Sequence, residues 1–144
     1  GRAMITEMHH PGFVVEDLEK AVNFYHRGLG LEEQSRYERQ GPGIDNVVGY
    51  RGAHLKICLM SIGSHSLELI QYLNPDPANR LTIERNVIGG SHLAFQVEDI
   101  YSVFQQAMDH GAVELNPPTE VAPGRTACYL QDPEGNWIEF IEIK

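Results

Sequence analysis

The chain is written twice. His10-Pro11-Gly12-Phe13-Val14-Val15-Glu16-Asp17-Leu18 reads against His92-Leu93-Ala94-Phe95-Gln96-Val97-Glu98-Asp99-Ile100, with His, Phe, Val, Glu and Asp coinciding. Gly answers Ala and Leu answers Ile in the same alignment. Further on, Leu67-Glu68-Leu69-Ile70 matches Ile138-Glu139-Phe140-Ile141, each a glutamate set in an apolar run. Self-similarity on this scale means one supersecondary unit used twice. Each copy reads as strand, helix, then three strands. The sequence therefore predicts an α+β fold of two βαβββ modules, with module one over about 4–74, a linker over about 75–90 and module two over about 91–144. A chain of 144 residues suits one domain built this way and is too short for two ordinary ones.

Local signals agree with the repeat. Asp17 and Asp99 stand where an N-cap carboxylate would accept bonds from the first free amides of a helix. Ala21, Val22, Phe24 and Tyr25 give the first helix, ending near Gly28, an apolar stripe. Val103, Phe104, Ala107 and Met108 do the same for the second, ending near Gly111. Alternation and turn residues place strands near 6–15, 32–40, 47–60 (with a break at Gly52), 66–73, 92–97, 113–114, 125–131 and 137–143. Residues 1–3 read as a remnant of cloning ahead of Met4, which leaves 4–144 as the domain.

Period-two alternation sorts the strand residues into faces. His10 shares a face with Gly12 and Val14, and His92 with Ala94 and Gln96, while Phe13, Val15, Phe95 and Val97 point the other way to receive the helix. A histidine followed by a small residue on one face leaves room around its imidazole. Glu68 and Glu139, flanked by large apolar residues, face burial, and a buried carboxylate has to be paired or bound to a metal. His10, Glu68, His92 and Glu139 are thus the candidate ligands of one divalent cation, two carboxylates balancing its charge and two imidazoles completing a mixed nitrogen and oxygen shell. Nickel, cobalt, zinc, manganese and iron all accept such a shell. His9 falls on the opposite face and reads as exposed; His26, His54, His65 and His110 have no repeat counterpart and read as structural or solvent-facing.

Composition narrows the partners. A formal net charge of −9 argues against nucleic acid, which wants a basic stripe. No apolar run approaches the ~18 residues of a membrane span. Cys58 and Cys128 lie singly in apolar runs without CxxC spacing and read as reduced core residues, so the expectation is a cytoplasmic protein.

Over the span from His9 to Lys144 these residues resemble the vicinal oxygen chelate superfamily, which includes glyoxalase I, bleomycin-resistance proteins and extradiol dioxygenases. The resemblance is carried by His10, Gly12, Val15, Asp17, Leu18, Ala21, Phe24 and Tyr25 at the start, by His92 to Ile100 in the middle, and by Asp132 to Glu139 at the end. It implies modules curled around a metal-binding cleft, with the family's ligand positions falling on the same four residues. The complete His, Glu, His, Glu set is most similar to glyoxalase I and methylmalonyl-CoA epimerase, which implies a lyase or isomerase that moves a proton on a small substrate with vicinal oxygens. Glu139 or Glu68 would then be the base. Arg51, Arg80 and Arg125 are the candidates for holding an anionic substrate. Family habit implies a homodimer. The alternatives are an iron-dependent extradiol-type dioxygenase, in which Glu68 would stand aside, and a non-catalytic binding or resistance protein.

Overall fold

A computed structural model describes residues 1–144 and shows the two modules, each with its own sheet. In the first module β1 (Gly12–Val14) is followed by helix α1 (Leu18–Asn23), which runs on into a π-helical turn (Phe24–Gly28). Then come β2 (Glu32–Gln40), helix α2 (Pro42–Val48), β3 (His54–Ile62) and β4 (His65–Asn74). The second module has β5 (Leu93–Gln96), helix α3 (Ile100–Asp109), β6 (Val113–Glu114), β7 (Thr119–Ala122), β8 (Arg125–Gln131) and β9 (Trp137–Ile143). The sheets run in the orders β1-β4-β3-β2 and β5-β9-β8-β6, with β7 also paired to β8. In both modules the first strand lies parallel to the last and the remaining pairs are antiparallel, so the sequence repeat is also a topological one.

Both expected caps form. The side chain of Asp17 accepts from the Lys20 amide and that of Asp99 from the Ser102 amide. A second, longer-range cap is also duplicated: Gln71 Oε1 accepts from the Leu18 amide at 2.9 Å, and Glu142 Oε1 accepts from the Ile100 amide at 3.1 Å. The last strand of each module therefore holds the start of that module's helix.

The faces sort as alternation requires. Val15, Leu67 and Leu69 in the first module, and Ile138 and Phe140 in the second, point to the helices and are buried. These residues join Leu18, Ala21, Phe24, Tyr25, Ile100, Ala107 and Leu130 in one core that runs through both modules. Each Val, Leu, Ile or Phe side chain among them stabilises the fold by about 1.5–3 kcal/mol relative to exposure. At the seam Tyr25 donates to Asp132, Gln106 donates to the Gly28 carbonyl, and Glu134 accepts from the Glu16 and Asp17 amides. The modules are fastened back to back by their helical sides.

Three expectations need correction. The strand placed over 6–15 is reduced to Gly12–Val14, because only that stretch finds β4 as a partner; His10 precedes the strand. The strand placed over 47–60 begins at His54, and Pro42–Val48 is a helix started by Pro42 in its first turn and stopped by Gly49 at φ 78°. Its Ile44 and Val48 pack on Leu55, Ile57, Ile70 and Tyr72, forming a small second core on the open face of the first sheet. Finally, β7 escaped the alternation analysis because all four of its residues are exposed. Cys58 and Cys128 are free and buried, as expected.

Candidate functional site

Each module presents one histidine and one glutamate together on its open face. Gly12 lies opposite Glu68 in the β1–β4 register, and the Glu68 amide donates to the Pro11 carbonyl, which brings the residue before it, His10, over the carboxylate. His10 Nε2 stands 3.4 Å from Glu68 Oε1. In the second module Ala94 lies opposite Glu139, and His92 Nε2 stands 3.1 Å from Glu139 Oε1. The glutamate side chains are only 16% and 17% exposed, and the histidines reach further out. Leu67 and Leu69, or Ile138 and Phe140, anchor the backbone from the far side, so each carboxylate has one direction left to it.

Small residues stand beside both pairs. A Cβ at position 12 would meet Glu68 Oε1 at 3.4 Å. Position 94 holds alanine at the equivalent place, the largest residue either module uses there.

The surroundings of the two pairs differ. Near Glu68 the wall is aromatic and apolar, with Tyr72 against Tyr50 at 6.0 Å and α2 beyond. Burial, helped by Tyr50 and the Glu68 carboxylate, pushes the Tyr72 phenol up. Near Glu139 the Tyr129 hydroxyl lies 3.1 Å from His92 Nε2, and burial followed by the Glu139 charge holds that phenol above its ordinary value. Trp137, two residues before Glu139 on the same face, donates its indole N–H to the Ile83 carbonyl and carries the Arg85 guanidinium over its ring at 4.7 Å. The linker thus lies against the second site and delivers an arginine to it. Arg51, Arg80 and Arg125 are exposed; Arg80 lies by Gly135. Arg85 and Tyr129 were missed by the sequence reading, since neither has a counterpart in the repeat.

Of the remaining histidines, His9 is exposed as expected but touches His10, its Nδ1 2.6 Å from the neighbouring Nδ1. His26 and His110 bond to the carbonyls of Leu31 and Gln106, and His54 pairs with Glu38. These are structural contacts.

The four candidate ligands are brought together two by two. Nowhere in the chain do three or more His, Cys, Asp or Glu side chains converge as a metal site would require. The donors are of types that divalent cations accept. A groove of about 930 Å³ lies between the segment Met8–Pro11, next to the first pair, and strand β5, next to the second.

Residues 7–140 match the sequence profile of the glyoxalase/bleomycin resistance protein/dioxygenase superfamily. Among characterised proteins the chain is 26% identical to a 2-epi-5-epi-valiolone epimerase from Actinomyces sp, over 94% of this chain and 79% of that protein. Among solved structures, a glyoxalase family protein from Bacillus cereus superposes with a TM-score of 0.91 at 26% identity, covering 99% of this chain and 97% of the other. A glyoxalase family protein from Enterococcus faecalis, also 26% identical, reaches 0.66 over 94% and 97%.

Proposed function

Because this chain belongs to the glyoxalase/bleomycin resistance protein/dioxygenase superfamily, we propose that it is a divalent-metal-dependent isomerase or lyase that moves a proton on a small substrate with oxygens on neighbouring carbons. The observation that carries this reading is the duplicated His–Glu contact, His10 with Glu68 and His92 with Glu139, at equivalent repeat positions on open sheet faces. Two imidazoles and two carboxylates at equivalent positions are donor types that suit a divalent cation. When bound, such a cation polarises a carbonyl and makes the neighbouring C–H more acidic.

The chain's own residues supply the rest. Glu68 or Glu139 takes the proton from the substrate carbon; for a lyase or isomerase the same carboxylic acid returns it to the neighbouring carbon, and for an epimerase the other glutamate, protonated, delivers a proton to the original carbon from the opposite face. Tyr129, holding its proton beside His92, can donate to a substrate oxygen that gains charge. Arg85, pinned on Trp137, suits an anionic substituent. Ile57 and Tyr72 give the Glu68 side of the sheet an apolar wall. The similarity to an epimerase supports proton transfer over oxygen insertion.

The test is metal analysis of the purified protein followed by NMR of candidate α-hydroxy ketones in deuterated water. About one divalent ion per chain is expected, with deuterium entering the carbon beside the carbonyl and Glu68→Gln weakening both. Metal retained unchanged in Glu68→Gln together with oxygen consumption would replace this reading by a dioxygenase. No metal after reconstitution would leave a binding protein.

A further inference from the structure

Resting on the proton-transfer reading above, we infer that Arg80 and Arg85 of the linker form a phosphate subsite beside the second pair, and that the substrate is a hydroxy ketone with a phosphate ester remote from its reacting carbon. Both guanidiniums come to the same end of β9. Arg85 lies over the Trp137 ring at 4.7 Å, and Arg80 lies against Gly135, where a Cβ would stand 3.4 Å from its Nη2. The chain has 20 acidic residues against 11 basic ones. Even so, Arg80 enters no ion pair, and Arg85 only a long one of 4.0 Å with its neighbour Glu84. Both cations are left to an outside anion.

The fold fixes where Arg85 stands. The Trp137 indole donates to the Ile83 carbonyl at 3.1 Å, and the turn after Arg85 closes with the Gly90 amide donating to the Val87 carbonyl at 2.8 Å. A Cβ at position 90 would come within 2.8 Å of the Arg85 carbonyl oxygen and 2.9 Å of that of Val87, so the turn needs glycine there. A guanidinium placed in advance loses less freedom when it binds. The first module offers no counterpart. Ser66 takes the place of Trp137 in the repeat, and its hydroxyl is spent on Gln34.

The spacing describes the substrate. Trp137 and Glu139 lie two apart on one face of β9, a separation of about 7 Å. Tyr129 pairs with Glu139 across the sheet, its ring 6.5 Å from Trp137 and 4.7 Å from His92. A molecule reaching from Glu139 to the guanidiniums spans about five or six single bonds. That sets aside an α-keto acid, whose charge adjoins the reacting carbon. The number of cations favours phosphate. One guanidinium fork satisfies a carboxylate, whereas a phosphate monoester brings a charge of about −1.5 to −2 and three acceptor oxygens, which suit two.

The test titrates the purified chain, its metal content measured first, with inorganic phosphate at constant ionic strength, read by Trp137 emission and by calorimetry. Arg85→Gln, Arg80→Gln and Gly90→Ala are run beside it, with Arg27→Gln, an exposed arginine of the first module, as the control. Thermal melts check folding; if Gly90→Ala does not fold, Arg85→Gln on the exposed linker still decides. Phosphate is expected to bind in roughly the millimolar range, with Arg85→Gln weakening it about tenfold or more, Arg80→Gln and Gly90→Ala weakening it too, and Arg27→Gln leaving it unchanged. Acetate should bind about tenfold more weakly than phosphate. Phosphate binding unchanged in Arg85→Gln overturns the subsite, since an anion held on the metal alone gives that result, and acetate matching phosphate overturns the substrate class. Both outcomes leave the metal reading standing, because metal content is scored separately. If wild type holds no metal after reconstitution, the proton-transfer reading falls and takes the substrate class with it, while Arg85-dependent phosphate binding would still establish the subsite.

Discussion

The hydroxyl of Tyr25 donates to Asp132 Oδ2 at 2.6 Å, tying the end of the first helix to the final hairpin in the interior of the protein. Asp132 is saturated there: it also accepts from the Glu134 and Asn136 amides and from the Asn136 side chain. The Asp-Pro-Glu-Gly-Asn turn is thus a buried knot between the modules, with no direct part at the pairs. Tyr25→Phe is expected to cost about 1–2 kcal/mol, and Asp132→Ala about 3 kcal/mol or more because several donors lose their acceptor at once. Urea unfolding measures both.

The same bond contributes to the loss of stability at alkaline pH. Burial first, then the Asp132 charge and hydrogen bond, hold the Tyr25 phenol well above its ordinary value of 10.0. A group that keeps its proton more tightly when folded contributes fully below the unfolded value and loses that contribution as pH rises past it. Stability should therefore fall above about pH 10, and Tyr25→Phe should flatten the decline. Parallel slopes for the two proteins between neutral and strongly alkaline pH would refute the assignment.

Gln71 and Glu142 perform the same task in the two modules, each accepting from the first amide of the helix it faces. The amide oxygen of the first module shows that charge is not needed for it. Glu142→Gln should change stability by about 0.5 kcal/mol at most, whereas Glu142→Leu strands the buried Ile100 N–H and should cost about 1–3 kcal/mol. Equal losses for the two substitutions in thermal melts would argue against the cap.

Gly12 leaves room for the Glu68 carboxylate, and alanine already stands at the equivalent position in the second module. Gly12→Ala is expected to keep metal binding. Gly12→Val, whose branches would occupy the carboxylate's place, should lower metal content at least about tenfold at limiting metal, a loss of roughly 1.4 kcal/mol. Full occupancy in Gly12→Val would show that Glu68 is not held where the fold places it.

Burial pushes the thiols of Cys58 and Cys128 up to about 11. Both should resist a thiol reagent at pH 8 in the native state and react together in denaturant, since the thiolate is the reactive form. Early reaction of one would report local opening of its sheet.

How much of this was legible beforehand depended on the range of the interaction. His10, Glu68, His92 and Glu139 could be picked out because the repeat places each pair on one module's face, and pairing within a module follows from strand order. Helix α2 left signals too, with Pro42 at its start, Gly49 at its end and Ile44 and Val48 one turn apart, but Val47 and Val48 also suit a strand. The separation of the two pairs left no local trace. It comes from how the helical sides of the modules meet, through Tyr25, Phe95 and Asp132, which sit far apart in the chain. Arg85 was hidden for a related reason: only the folded linker brings it to Trp137.

Trp137 is the only tryptophan in the chain. It is nearly buried, lies under Arg85, has Tyr129 within 6.5 Å and stands two residues from Glu139. The protein therefore carries its single indole at the second pair and only tyrosines near the first. A paramagnetic ion, or an anion that draws Arg85 off the indole ring, would change its emission without any added label, so occupancy could be followed by light in the same cuvette that reports the melting of the fold.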